Sequence, residues 1–242
     1  MSEVFPFQIN HKAPDFKYTK IKFYEEFIRQ ELVDPVFAKF RRDIETNNMH
    51  IDLKMMQRFR FDKEDGRQFL ISSLDILGDS ESAISEFKKL RDTDHARVNY
   101  AEMYLRIYGV LAAVYIHSQA IDTLSELFKV EEVKYILKKI DESEIMYMRH
   151  IISAHPLNFS TDRKTTESFQ LVRISVSQPC SLQIRNHQGV FKDHNLFNYL
   201  DEYEKLAENA LQQLATKMIR LLYCTNVDRI PELIDKLDKI KR

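Results

Sequence analysis

The stretch Tyr100–Ile121, YAEMYLRIYGVLAAVYIHSQAI, decides the fold. Within it Tyr100, Met103, Tyr104, Ile107, Tyr108, Leu111, Val114, Tyr115, Ser118 and Ile121 recur every three or four positions. That is the repeat of one face of an α-helix. The pattern predicts a helix over residues 95–128. At ~1.5 Å per residue it spans about 50 Å, enough to be the spine of a bundle.

Downstream of that spine the spacing of Val133, Ile136, Leu137, Ile140, Met148 and Ile152 predicts a helix over residues 131–155. Pro156 stops it, because the residue before a proline is pushed out of the α region. The period then changes. Phe169, Val172, Ile174 and Val176, followed by a second run from Ser181 to Ile184, predict a small β-hairpin at about 167–191. Leu196, Leu200, Tyr203, Leu206, Ala210, Leu214, Met218 and Leu221 mark a last long helix from Asn195 to Tyr223, and a short one follows Pro231.

Upstream, Phe69, Leu70, Ser73, Leu74 and Leu77 mark a helix expected to pause at Gly78, with Asp79 or Ser80 capping a continuation through Leu90. Residues 47–63 fit a strand or a helix equally. Ile21, Tyr24, Phe27 and Ile28 have helical spacing, with Pro35 as an expected interruption. Residues 1–18 read as an arm. The expected architecture is mainly α: an up-and-down helical bundle over residues 66–225 carrying the hairpin, an N-terminal arm and helical extension over 1–65, and a C-terminal helix over 226–242.

Composition supports this class. The 242 residues include only 4 Gly and 6 Pro, too little punctuation for a sandwich or barrel. Hydrophobic residues at 44% and charged residues at 30% describe a chain with a core, not a disordered one. The formal net charge of -1 gives no global attraction for a polyanion, so nucleic-acid binding would need a local basic patch. Two basic clusters are available: Lys12, Lys17, Lys20 and Lys22, and Arg58, Arg60, Lys63 and Arg67. Cys180 and Cys224 stand apart without a CxxC pattern and read as reduced thiols. No basic and apolar leader opens the sequence, and the longest strongly apolar run is too short for a membrane span. The expected location is cytoplasmic. No zinc pattern, Walker A loop, GxGxxG or GxSxG occurs, so no metal or cofactor is expected.

One segment carries residue types suited to chemistry: Arg149-His150-Ile151-Ile152-Ser153-Ala154-His155. Its R-x(4–6)-H spacing, with a polar residue directly after the arginine, resembles the motif of the HEPN ribonuclease superfamily. The flanks add to the likeness. Tyr104-Leu105-Arg106-Ile107-Tyr108-Gly109-Val110-Leu111, then Ala120-Ile121, resembles a "YLRxYGxLQAL…QQDAI" helix in a group of bacterial HEPN-like proteins. Ser168-Phe169-Gln170-Leu171-Val172-Arg173-Ile174-Ser175 resembles their "SxxFISRIS" strand. The likeness spans about residues 95–215. His150 replaces their Asn, Ala154 their Gly, and His117-Ser118-Gln119 stands where Gln-Gln-Asp is common.

The resemblance implies a metal-independent endoribonuclease, a toxin or defence effector. It implies an RNA substrate, a homodimer whose two motifs line one cleft, and neutralisation by an antitoxin protein. His155 would be the acid/base, Arg149 the stabiliser of the phosphate, and His150 an auxiliary. The residue types fit. An imidazole is populated in both protonation states near neutrality, and a guanidinium carries fixed positive charge for a crowded phosphorane. Arg149 and His155 lie six positions apart, about a third of a turn off a shared face at ~100° per residue, so unwinding at Pro156 is expected to bring them together. Two other readings stay open. The same residues fit a non-catalytic HEPN-like module that binds RNA, a nucleotide or a protein. They also fit a plain helix end with a capping histidine. Tyr104, Tyr108 and Tyr115 form a stripe that reads as core more readily than as a base-stacking surface.

Overall fold

The computed structural model describes residues 19–43, 49–62, 65–92, 99–157, 159–160, 166–177 and 179–241. The expected arm at residues 1–18 lies outside them, as do Lys12, Lys17 and Lys63. The chain is mainly α-helical, with a small antiparallel sheet just before its last long helix.

Two long helices form the centre. Helix α5 (Tyr100–Phe128) is capped by the Asn99 side chain, which accepts from the Ala101 N–H at 2.9 Å. Helix α8 (Leu196–Leu222) is capped in the same way by Asn195, which accepts from the Asn198 N–H at 3.2 Å. Helix α4 (Gly66–Lys88) packs along α5. Leu70, Leu74, Leu77 and Ile84 of α4 meet Met103, Ile107, Leu111, Val114 and Ile121 of α5 in one fully buried core. Helix α8 lies against α5, α1 (Lys20–Phe27), α6 (Glu131–Asp141) and α9 (Arg229–Lys241). It adds Leu200, Tyr203, Leu211, Leu214 and Met218 to the core. Each such side chain contributes roughly 1.5–3 kcal/mol of burial.

Several local expectations give way to packing. Helix α4 runs through Gly78 without a pause. Ser80 turns its hydroxyl back to the Ile76 and Leu77 carbonyls instead of capping a new helix. Pro35 does not interrupt either: α1 continues into a π-helical turn at Ile28–Val33 and then into α2 (Asp34–Asp43). The ambiguous residues 47–63 contain helix α3 (Met49–Phe59). The helix expected over 131–155 is broken at Glu142 and Ser143, after which α7 (Glu144–Arg149) begins.

The sheet has the order β1-β2-β3, with β1 Phe169–Leu171, β2 Leu182–Asn186 and β3 Phe191–His194, all antiparallel. Phe169 faces Asn186 and Leu182 faces His194. The first strand is shorter than the Phe169–Val176 spacing suggests. At Arg173–Ser177 the backbone winds into a 3₁₀ turn that packs on α5. The β2–β3 turn is closed by Asn186, whose side chain accepts from the Gln188 and Val190 N–H groups. Gly189 there takes φ +83°, a conformation open to glycine at little cost.

Candidate functional site

Helix α7 buries Ile145, Met146 and Met148 and packs on α5. Its last residue, Arg149, leads into a π-helical turn over His150–Ala154, anchored by buried Ile151 and Ile152. The turn closes where the His155 N–H donates to the His150 carbonyl at 2.7 Å, a link between residues five apart. In a regular α-helix, residues five apart point about 140° away from each other. Here the wider turn brings them onto one side. The His150 and His155 rings lie 6.1 Å apart and 12° from parallel.

Arg149 joins the group from its other end. Its Nη1 lies 3.4 Å from His150 Nδ1, and its guanidinium sits 4.1 Å from the centroid of the Tyr115 ring on α5. Arginine has no lone pair to offer, so Nδ1 accepts and the proton of the neutral imidazole belongs on Nε2. Burial pushes the His150 pKa below the ordinary histidine value; the charges of Arg149 and His155 add to this, against an opposing pull from Asp141. His150 is half-buried and His155 exposed. The three residues singled out by spacing are thus contiguous: Arg149 touches His150, and His150 stacks on His155. The change of winding that achieves this lies within the helix, ahead of Pro156. Ser153 donates its hydroxyl to the Arg149 carbonyl at 2.9 Å and faces solvent.

Chemically this is a surface cluster with one fixed cation, one imidazole biased toward its neutral form and one solvent-facing imidazole. Such a set can bind a phosphate oxygen and exchange protons beside it. The basic clusters are less available. Lys22 pairs with Glu25, and Arg58 donates to the Leu222 carbonyl. In the tyrosine stripe Tyr104 and Tyr115 pack half-buried on the core, whereas Tyr108 is 41% exposed.

Some polar features escape sequence reasoning. His117 is fully buried on α5, with Nδ1 2.5 Å from the Tyr203 hydroxyl of α8. Tyr203 donates to the Val114 carbonyl, so a proton on His117 Nδ1 satisfies both groups and leaves only the Nε2 lone pair bare. Burial lowers the His117 pKa to about 3. Glu81 of α4 is buried and accepts from Thr19, the N-cap of α1, and from Ser85. Burial raises its pKa to about 7 despite those two hydrogen bonds. His117 and Glu81 occupy helical positions like any others, and their burial depends on which helix lands on them. Only a polar residue at an apolar period position signals such a site, and that signal is weak.

Among the described residues no group of three or more His, Cys, Asp or Glu side chains is arranged to hold a metal ion. No helix among them is long and apolar enough to cross a membrane. The chain matches no family model, and neither a curated protein nor a solved structure matches it.

Proposed function

We propose that the chain is a metal-independent endoribonuclease of the HEPN type, acting as a toxin or defence effector on cytoplasmic RNA. The observation that carries this reading is the π-helical turn that gathers Arg149, His150 and His155 into one contact chain. In the proposed reaction the ribose 2′-oxygen attacks the adjacent phosphorus and the bond to the 5′-oxygen breaks. One proton leaves the 2′-hydroxyl and one is delivered to the departing 5′-oxygen. The products are a 2′,3′-cyclic phosphate and a 5′-hydroxyl, with no water consumed. His155, exposed at the end of the turn, is the proton carrier. Arg149, oriented by Tyr115, offsets the charge that builds on the phosphorane. His150 keeps its neighbour's ring in place and, biased toward the neutral form with its acceptor turned to Arg149, leaves its Nε2–H as a donor. A homodimer would set two such clusters across one cleft, and an antitoxin would act by covering it.

The second reading is a non-catalytic binding module. It is favoured by the guanidinium of Arg149, which is already committed to the Tyr115 ring and to His150. One experiment separates the two. Purified protein and its His155→Ala variant are incubated with total and transfer RNA in EDTA, and product ends are analysed. Cleavage by the wild type alone, leaving cyclic phosphate ends, is expected. Equal cleavage by the variant, or none by either protein, overturns the enzyme reading. The variant should keep its helical circular dichroism and melting temperature, because an exposed side chain is removed.

A further inference from the structure

We infer that the tyrosine-bearing face of α5, together with Arg173, is a binding track for single-stranded RNA leading to the Arg149–His155 cluster. Tyr100, Tyr104, Tyr108 and Tyr115 fall within about 80° of one another around the helix at ~100° per residue. From Tyr100 to Tyr115 they cover roughly 22 Å of its length at ~1.5 Å per residue. The face is open at Tyr100 and Tyr108, which are 40% and 41% exposed, while Tyr104 and Tyr115 rest half-buried on the core. Neighbouring rings are already arranged as a surface for stacking, with Tyr104 and Tyr108 6.1 Å apart and tilted by 34°.

A cation stands at each end of this row. The guanidinium of Arg173 lies 5.8 Å from the Tyr100 ring, and that of Arg149 lies 4.1 Å from the Tyr115 ring. The 3₁₀ turn that interrupts the first strand is what brings Arg173 there, since it packs on α5. This gives the sheet insertion a role in presenting a cation.

A row of aromatic side chains with a guanidinium at each end suits an unpaired polynucleotide, whose bases stack on rings while its phosphates meet the cations. A duplex hides its base faces and gains only the phosphate contacts. The formal net charge of -1 is no obstacle, because the cations here are local. The inference names the substrate form for the proposed ribonuclease and rests on that reading for its biological sense, but the binding itself does not require cleavage.

The test uses fluorescence anisotropy with the full chain and a labelled 2′-O-methyl oligouridine, which lacks the attacking hydroxyl, beside the duplex it forms with oligoadenosine. The single strand should bind more tightly than the duplex. Tyr108→Ala and Arg173→Gln should each weaken single-strand binding by about tenfold, the loss of one stacked base or one phosphate contact. Tyr135→Ala serves as a control, because Tyr135 is an exposed tyrosine on α6 that carries its own cation, Lys139. It should bind as the wild type does. Equal affinity for duplex, unchanged binding by Tyr108→Ala, or a change in sedimentation of that variant in the absence of RNA each overturns the track. If the wild type cleaves RNA in EDTA while Tyr108→Ala binds normally, the track fails and the enzyme reading stands. If nothing is cleaved but binding depends on Tyr108, the track stands without the enzyme.

Discussion

His150 sits between two other groups, and its protonation reports on both. Its pKa is lowered first by burial, then by Arg149 and His155. Arg149→Gln removes one of the two positive neighbours and leaves the burial. The His150 midpoint, followed by NMR of its ring protons, should therefore rise but stay below the ordinary value near 6.5. An unmoved midpoint would mean that the guanidinium is not held beside the ring in solution. The residue types at this site were readable from the sequence, because an arginine, a polar neighbour and a histidine at a set spacing are sequence properties. Their mutual contact was not. It depends on the wider winding at His150–Ala154, whereas spacing alone suggested unwinding at Pro156.

Element boundaries show the same division between local preference and packing. Gly78 and Pro35 are both residues that weaken helices, yet helix runs through each position. A glycine inside a helix costs about 1 kcal/mol, and the burial of Leu74, Leu77 and Ile84 around it outweighs that. The apolar repeats of α5 and α8 were legible because their periods run long. The break between α6 and α7 was not, because Ile140 and Ile145 are both buried on either side of it and continue the apolar signal. Helical glycines also separate by what surrounds them. A Cβ at Gly109 of α5 meets nothing within 4 Å, whereas one at Gly66 comes within 2.6 Å of the Phe61 ring. That ring stacks on Phe59 at 5.3 Å and meets Phe128 edge-on, so it has little room to yield. Gly109→Ala should stabilise the fold by about 0.5–1 kcal/mol, and Gly66→Ala should destabilise it by roughly 1–3 kcal/mol. Urea denaturation of the two variants checks the opposite signs.

Across the whole molecule, two buried groups link stability to pH in opposite directions. His117 holds a folded pKa of about 3, below the 6.5 of the free side chain. The unfolded chain therefore binds the extra proton, and stability falls as pH drops from 6.5 toward 3. Glu81 holds about 7, above its ordinary 4.5. The native state binds the extra proton there, so stability falls as pH rises from 4.5 toward 7. Where the two windows overlap, their slopes oppose. Glu81→Gln removes one of them. The stability of that variant relative to the wild type should climb with pH between about 4.5 and 7, by at most ~1.4 kcal/mol per pH unit. Denaturation curves at several pH values measure this, and a constant difference would show that Glu81 does not titrate within the fold. The groups facing Glu81 come from three segments: Thr19 ahead of α1, Ser85 and Lys88 on α4, and Glu204 on α8.

The wider turn at His150–Ala154 also changes what distance along the chain means. In an α-helix the partner that stacks beneath a ring is the fourth residue on; here it is the fifth. Counting letters is therefore a poor ruler for such a motif. Two sequences whose arginine and histidine differ in separation by one position can present the same gap to a substrate, the surplus residue being taken up by winding. A variable spacing between the two is then a property of the helix as a spring, and does not by itself imply a looser site.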